Sequence, residues 1–273
     1  MKLTTAKQMR EADARAIAGG IPSIALMETA SRAVAEAAIP CLSPGGTALV
    51  LCGSGNNGGD GVGAAAELLR RGFSPASVRV ALVGSRAHAT PDFLEMERRL
   101  NALGGAVEEY DPDKPLPACS VVIDAIFGIG LNKPVEGRAL AAILAANALD
   151  VPVVAADIPS GVEADTGRVL GEAIRAAVTV TFSLAKIGHF AEPGCVCCGA
   201  LRVADIGIPK EILAECETNV SAVYDEEVPL PQRNPLSHKG DYGKLLILGG
   251  SAGYTGAPTL CARAAVRAGA GLV

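Results

Sequence analysis

Residues 47–70, TALVLCGSGNNGGDGVGAAAELLR, decide the fold. The run 47–52 (TALVLC) is apolar without alternation, as expected of a strand buried on both faces. A helix is predicted over about 60–71. Between them Gly53, Gly55 and Gly58 are spaced as G-x-G-x-x-G. Glycines at such a joint let a backbone approach phosphate, and the free N–H groups of the following helix carry partial positive charge. The spacing alone is a weak sign, because tight strand-to-helix turns use glycine anyway. Its polar content is more specific: Asn56, Asn57 and Asp60 crowd one turn. Asp60 is placed to be either an N-cap or a reacting group. A nicotinamide-dependent dehydrogenase would also carry an acid at the end of the next strand to bind ribose. That strand ends at Gly84-Ser85-Arg86, without one.

Outward from this stretch the chain alternates. Helices are predicted over 4–18 and about 23–38, the second with Ser23 as N-cap after Pro22. Strands are predicted at 78–83, 106–109, 120–126, 151–156, 177–183 and 200–204, and helices at about 91–103 and 136–148. This rhythm implies an α/β fold: a Rossmann-like, doubly wound, mostly parallel sheet in a three-layer αβα arrangement. Three domain-level segments follow: residues 1–218, a proline- and acid-bearing linker at 219–235, and a unit at 236–273. The last reads as a strand (244–248), a glycine-rich turn and a helix (about 257–268). One strand and one helix bury no core, so it is expected to be the opening of a second domain, cut short.

Composition narrows the function classes. Net charge is -5 and no Lys/Arg cluster occurs, so no nucleic-acid partner is expected. No apolar run reaches membrane-spanning length and no export signal opens the chain, so a cytoplasmic protein without a membrane partner is expected. The eight cysteines are then expected to be reduced thiols. The one cluster, Cys195, Cys197 and Cys198, lacks a partner pair at zinc spacing.

Two further aspartates end apolar strands: Asp124 in VVIDAIFGIG and Asp157 in DIPSG. Ligands of open α/β sheets bind beyond the carboxyl ends of the strands, so three strand ends deliver Asn and Asp groups to one rim. Gly128, Gly130 and Gly161 are expected to keep that rim open. Lys186 reads either as a charge within reach of phosphate or as a solvated strand-end lysine. His189 reads as structural.

GSGNNGGDG, DAIFGIGL and DIPSGVEADTG, in this order and spacing, resemble the NAD(P)H-hydrate epimerases, the YjeF N-terminal domain family, as does the opening TTAKQMREADARAIAGGIPSIALMETASRAVA. The resemblance covers about residues 1–215. Thr29 stands where the family commonly has Asn. The tail HKGDYGKLLILGGSAGYTGAPTLCARAAVRAGAG is similar to the start of the ADP- or ATP-dependent NAD(P)H-hydrate dehydratases, a ribokinase-like domain in which Ala257 would contact substrate. The family's nucleotide-binding segments lie further downstream, so ADP or ATP would serve only a missing half and no dehydratase activity is expected here. The resemblance implies that Asn56, Asn57, Gly58, Gly59 and Asp60 contact a dinucleotide. Gly128, Ile129, Gly130, Leu131, Asn132, Lys133 and Pro134 would line it, and Asp157 would contact the hydrated nicotinamide. It also implies that Asn57, Asp124 and Ser160 hold a potassium ion. A hard cation with oxygen ligands suits those side chains. The implied activity is interconversion of the R and S forms of hydrated NADH or NADPH (NADHX, NADPHX), with Asp157 as general acid/base and Asp60 assisting. A non-catalytic nucleotide- or RNA-binding scaffold of the same fold is the alternative. A homodimer or higher homo-oligomer built on the N-terminal helices is expected.

Overall fold

Every predicted strand of residues 1–218 forms, within a residue or two of its expected ends. The computed structural model describes residues 1–223 and 232–273. The elements in chain order are β1 (Leu3–Thr4), α1 (Ala6–Ala18), α2 (Ser23–Ala38), β2 (Ala48–Cys52), α3 (Asn56–Arg70), β3 (Val78–Leu82), α4 (Pro91–Ala102), β4 (Val107–Glu109) and β5 (Val121–Ala125). There follow α5 (Gly137–Asn147), β6 (Val153–Ala156), β7 (Val178–Phe182), β8 (Ala185–Lys186), α6 (Gly194–Cys197), β9 (Ala200–Ala204), α7 (Lys210–Ala214) and α8 (Gly256–Ala268).

Seven strands form one sheet in the order β4-β3-β2-β5-β6-β7-β9, and every pairing in it is parallel. The order reverses between β2 and β5, the switch point at which doubly wound sheets open a crevice for ligands. Period-2 alternation divides the strands between two cores. Ala48, Val50 and Cys52 face a cluster with α1, α2, α3 and α4, whereas Leu49 and Leu51 pack with Ala142, Ile143 and Ala146 of α5. The sheet thus lies between two helical layers, as expected.

Three expectations are corrected. First, α3 begins at Asn56 with Gly55 as its N-cap, not near residue 60, so the Asn-Asn-Gly-Gly-Asp-Gly segment is the first turns of the helix and Asp60 is not a cap. Glycine lowers helix propensity by about 1 kcal/mol each, but contact demands it here. A Cβ on Gly58 would lie 1.8 Å from the Gly53 carbonyl oxygen, and one on Gly61 would lie 2.4 Å from the Ala125 Cβ. The helix therefore grows directly off β2 and β5. Second, Ser23 is the first helical residue rather than the cap. Pro22 holds the cap position, and Ser23 Oγ donates to Asp92 Oδ1 at 3.2 Å. Third, 244–248 is not a strand. Lys244 forms a single bridge to Leu272, Leu245 N–H donates to the Leu272 carbonyl at 2.8 Å, and Leu246 and Leu248 are exposed; among the described residues no strand pairs with the rest of the segment.

A two-residue parallel pairing, β1 with β8, lies outside the main sheet and was not foreseen. The chain divides into a unit of Met1–Ala222 and one of Val223–Val273. The expected linker 219–235 falls partly on residues 224–231, outside the described residues. Its first residues belong to the larger unit, where Leu3 N–H donates to the Val220 carbonyl at 3.0 Å. Among the described residues no helix is long and apolar enough to cross a membrane.

Gly58→Ala tests the contact argument. Its Cβ meets backbone that cannot rotate away, so we expect urea denaturation to show a loss of about 3 kcal/mol, at the upper end of overpacking costs. Gly130→Ala, where nothing lies within 4 Å of a Cβ, should change stability by about 0.5 kcal/mol or less.

Candidate functional site

Two polar clusters stand at the carboxyl ends of the central strands. The first is closed around Asp124, the fourth residue of β5. Asp124 and Ser160 are fully buried. The Asp124 Oδ2 accepts from Ser160 N–H at 2.8 Å. Its Oδ1 accepts from the Ser160 hydroxyl at 2.6 Å and from Ile126 N–H at 3.2 Å. The Phe127 N–H donates to Ser160 Oγ at 2.8 Å, so the β5–α5 loop is tied to the Asp-Ile-Pro-Ser turn. Burial pushes the Asp124 carboxyl up to about 6 against these bonds. In the first turn of α3 the Asn57 amide is buried with neither Oδ1 nor Nδ2 hydrogen-bonded among the described residues. It packs against Gly128, whose Cβ, if present, would lie 3.0 Å from Asn57 Oδ1. Buried amides are almost always satisfied, so the Asn57 amide is an exception among the described residues.

The second cluster lines a cavity of about 130 Å³ between α1, α2, the start of α3 and the ends of β6 and β7, bordered by Asn56, Asp60, Ile129, Asp157, Lys186 and, from α1, Asp13. Its centre is an ion pair: Lys186 Nζ donates to Asp157 Oδ1 at 2.6 Å. The same ammonium donates to Thr181 Oγ1 at 2.8 Å and to the Phe182 carbonyl at 3.3 Å. Thr181 Oγ1 donates to Asp157 Oδ1 at 3.1 Å, and among the described residues Oδ2 of Asp157 receives no hydrogen bond. Burial, the largest single influence, opposes ionisation of Asp157, but the charge and hydrogen bond of Lys186, with smaller help from His189 and the Thr181 hydroxyl, together hold the carboxyl below its ordinary value. Asp157 sits at φ 65°, a left-handed backbone uncommon outside glycine. His189 secures it there. Its Nδ1 accepts from Lys186 N–H at 3.0 Å, so its Nε2 carries the hydrogen and donates to the Asp157 carbonyl oxygen at 2.9 Å.

Asp60 is 8% exposed, lines the cavity and makes no hydrogen bond or ion pair among the described residues. Burial first, then the charges of Asp157, Asp13 and Asp92, raise its pKa well above the ordinary value. Asp157 and Asp60 are thus pushed in opposite directions within one cavity.

The predicted residues divide as follows. Asn56, Asp60, Asp157 and Ile129 line the cavity, while Asp124 and Ser160 form the closed cluster and Asn57 packs against Gly128. Gly58 and Gly59 are buried in α3. Of the loop after β5, only Ile129 reaches the cavity. Gly128 and Leu131 are half-buried and Gly130, Asn132, Lys133 and Pro134 exposed. The expectation that glycines hold the rim open is met only by Gly130. Gly161 instead packs on Glu172 and Ala173. Ala257 is exposed in the smaller unit. Lys186 is corrected from a solvated or phosphate-binding lysine to one that is 1% exposed and paired. Thr29 turns its hydroxyl back to the Ala25 carbonyl at 3.1 Å, within α2.

Asp13 was missed altogether. Its signal was present: it interrupts the apolar stripe Met9, Ala12, Ala16 of α1. After β3, Arg86 pairs with Glu97, so no free group stands where a ribose acid would be. The cysteines are all free thiols, and burial raises Cys198 to about 12. Among the described residues no group of three His, Cys, Asp or Glu is placed to hold a metal. Two larger hollows, of about 260 Å³ against β3 and β4 and about 370 Å³ between α1 and 215–217, lack a buried titratable cluster.

The chain matches the family described as YjeF-related protein N-terminus over residues 23–188. It is 41% identical over 258 residues to the bifunctional NAD(P)H-hydrate repair enzyme Nnr of Thermofilum pendens, covering 92% of this chain and 48% of that protein. It is 42% identical over 288 residues to the protein of that name from Moorella thermoacetica, covering 100% of this chain and 53% of that protein. With the NAD(P)H-hydrate epimerase of Limosilactobacillus fermentum it shares 41% identity over 202 residues, 74% of this chain and 95% of that protein. The chain therefore spans about half the length of the bifunctional relatives and nearly all of the epimerase. The crystal structure of yeast ynu0 superposes with a TM-score of 0.68 at 22% identity, covering 83% of this chain and 98% of that one, which speaks to the fold.

His189 supplies a pH test. Burial, and then the Lys186 charge, lower its pKa to about 4, against about 6.5 in an unfolded chain. Between these values the unfolded chain binds a proton that the folded chain refuses. Stability therefore falls as pH drops from about 6.5 to about 4, by up to about 3 kcal/mol. Asp13 and Asp60, whose pKa values are raised, act in the opposite sense. His189→Gln should be less stable than wild type at pH 7 in urea denaturation, with the gap narrowing towards pH 4.5. A constant gap would mean that His189 does not titrate as described.

Proposed function

Given that the chain belongs to the YjeF-related N-terminal family, we propose that it interconverts the R and S forms of NADHX and NADPHX at carbon 6 of the hydrated nicotinamide. The observation that carries this reading is the pair of oppositely displaced carboxyls in one small cavity: Asp157, ionised beside Lys186, and Asp60, buried without a partner. Environments that push two acids apart assign their roles. At about 130 Å³ the cavity is smaller than pockets that enclose drug-sized ligands, about 300–1,000 Å³. It suits one ring of a dinucleotide, with the remainder outside. The first turn of α3 leaves the N–H groups of Asn56, Asn57 and Gly58 free for phosphate, and the loop 128–134 borders the same rim.

The substrate bears a hydroxyl on carbon 6 beside ring nitrogen 1. Its departure as water needs a proton and leaves a positively charged C=N bond, which water re-enters from either face. Asp60, whose burial favours the protonated form, suits the donor. Asp157 exchanges protons through Oδ2 and stabilises the cation. Lys186 and Thr181 hold its other oxygen, and His189 fixes its backbone.

We also propose that Asn57, Asp124 and Ser160 hold a monovalent cation, potassium by resemblance. The unpartnered Asn57 amide and a donor set of hard oxygens with one carboxylate support this. Such an ion would neutralise Asp124 and fix the Asn57–Gly128 contact. By the resemblance of their sequence, residues 236–273, with Ala257, are proposed to belong to a dehydratase-type unit using ADP or ATP; the relatives that extend across them are named bifunctional NAD(P)H-hydrate repair enzymes.

Chiral chromatography of R- and S-NADPHX incubated with the protein tests the reading, in potassium and in a buffer where lithium replaces it. Wild type should equilibrate the epimers, more slowly without potassium. Asp157→Asn should slow inversion by about 100-fold or more while ligand binding stays measurable. Full activity in that variant would remove Asp157 from the chemistry.

A further inference from the structure

When inversion at carbon 6 runs through loss of the hydroxyl rather than opening of the ring, water leaves from one face of the ring and returns on the other. A proton-handling group on a single face returns water to the side it left, and oxygen is exchanged without inversion. A second group is then needed for the second face, and one further carboxyl, that of Asp13, lines the cavity. Met9, Asp13 and Ile17 follow one another at successive turns of α1 and all three line the cavity. Asp13 makes no hydrogen bond or ion pair among the described residues. The charges that act on it are those of Lys186 and Asp157.

Its wall is firmly placed. Residues just before α1 pair with the strand that carries Lys186, Leu3 with Ala185 and Thr4 with Lys186. The first N–H of the helix, from Ala6, donates to Asp165 Oδ1 at 2.6 Å. Thr5 and Gln8 close a capping box over the same end. A stripe that needs only apolar residues to pack instead presents a carboxyl to the cavity. A cluster of acids alone would mean little. Asp60, more than nine-tenths buried and unpartnered on the same cavity, independently marks the space as a ligand's.

Resting on the function proposed above, we infer that Asp13 is a catalytic residue that serves the ring face opposite the one served by Asp60 and Asp157. On the first face Asp60 gives its proton to the hydroxyl on carbon 6. The C6–O bond breaks with its electron pair on the departing water, and the lone pair of nitrogen 1 forms the N1=C6 bond. On the second face water bonds to carbon 6, the N1=C6 pair returns to nitrogen, and the proton lost by that water passes to Asp13. Asp60 ends ionised and Asp13 protonated, which is the state the reverse reaction starts from, and no further reactant is consumed. Burial, partly offset by Lys186, raises the Asp13 carboxyl to about 6, where it can both take and release a proton near neutral pH.

The test is to incubate the full chain in ¹⁸O-water with each NADPHX epimer separately. Label at carbon 6 and chirality are followed together, against enzyme-free controls. Wild type should gain one solvent oxygen with each inversion. Asp13→Asn should slow inversion by about 100-fold or more, yet still exchange oxygen into one epimer with retention, leaving the other inert. Asp60→Asn should exchange the opposite epimer. Retained exchange in either variant also shows that the variant is folded. Inversion without label in wild type, equal loss of exchange from both epimers in Asp13→Asn, or undiminished inversion in that variant each overturns the role of Asp13 while the epimerase reading stands. A wild-type protein that inverts neither epimer overturns that reading and this one with it.

Discussion

The ammonium of Lys186 is the constraint around which the site is arranged. Burying a charge of this kind costs several kcal/mol unless a well-placed partner and hydrogen bonds compensate. Three acceptors do so: Asp157 Oδ1, Thr181 Oγ1 and the Phe182 carbonyl. They come from the end of β6 and from the last two residues of β7, so the one charge ties adjacent strand ends together. It also sets the electrostatic order among the acids. Asp157, touching the lysine, stays ionised. Asp60, without a bond to the lysine, is driven towards its neutral form by burial first and then by the charges of Asp157, Asp13 and Asp92.

The two polar clusters divide the labour differently. Around Asp124 both carboxylate oxygens are used by Ser160 and Ile126. Such a cluster holds geometry. Around Asp157 one oxygen is used and the other is open to the cavity, an arrangement suited to proton exchange. The two are three residues apart on one turn, Asp157 to Ser160. A shift in the position of one is therefore transmitted to the other through a short, buried stretch of backbone.

The sheet was legible because parallel strands buried on both faces leave an unambiguous apolar run. TALVLC, VRVALV and VPVVAA each became a strand close to the expected bounds. The start of α3 was not legible. Asparagines and glycines have poor helix propensity, and only the contacts of Gly58 with Gly53 and of Gly61 with Ala125 reveal why a helix begins there. Lys186 misled for a related reason. A lysine is almost never buried without a partner, and its partner lies 29 positions earlier in the chain. Asp13 was readable as a break in an apolar stripe, but a single acid in a helix is ordinarily solvated. The strand expected at 244–248 failed for the converse reason: apolar sequence makes a strand only where a neighbour exists to pair with it.

The pairing of β1 with β8 bears on how the molecule comes together. Thr4 Oγ1 donates to the Ala185 carbonyl across 181 positions of sequence, a contact of very high order for two residues of strand. The sheet can assemble from neighbouring βα units, each closing a modest loop, whereas this clasp closes nearly the whole of the larger unit at once. Closure entropy rises only slowly with loop length, but non-local contacts of this kind slow folding. The cavity wall supplied by α1 is then among the last parts to settle. Local opening at the clasp would unseat that wall while leaving the seven-stranded sheet intact, so the amides of Leu3 and Thr4 are expected to exchange hydrogen well before those of β2 and β5.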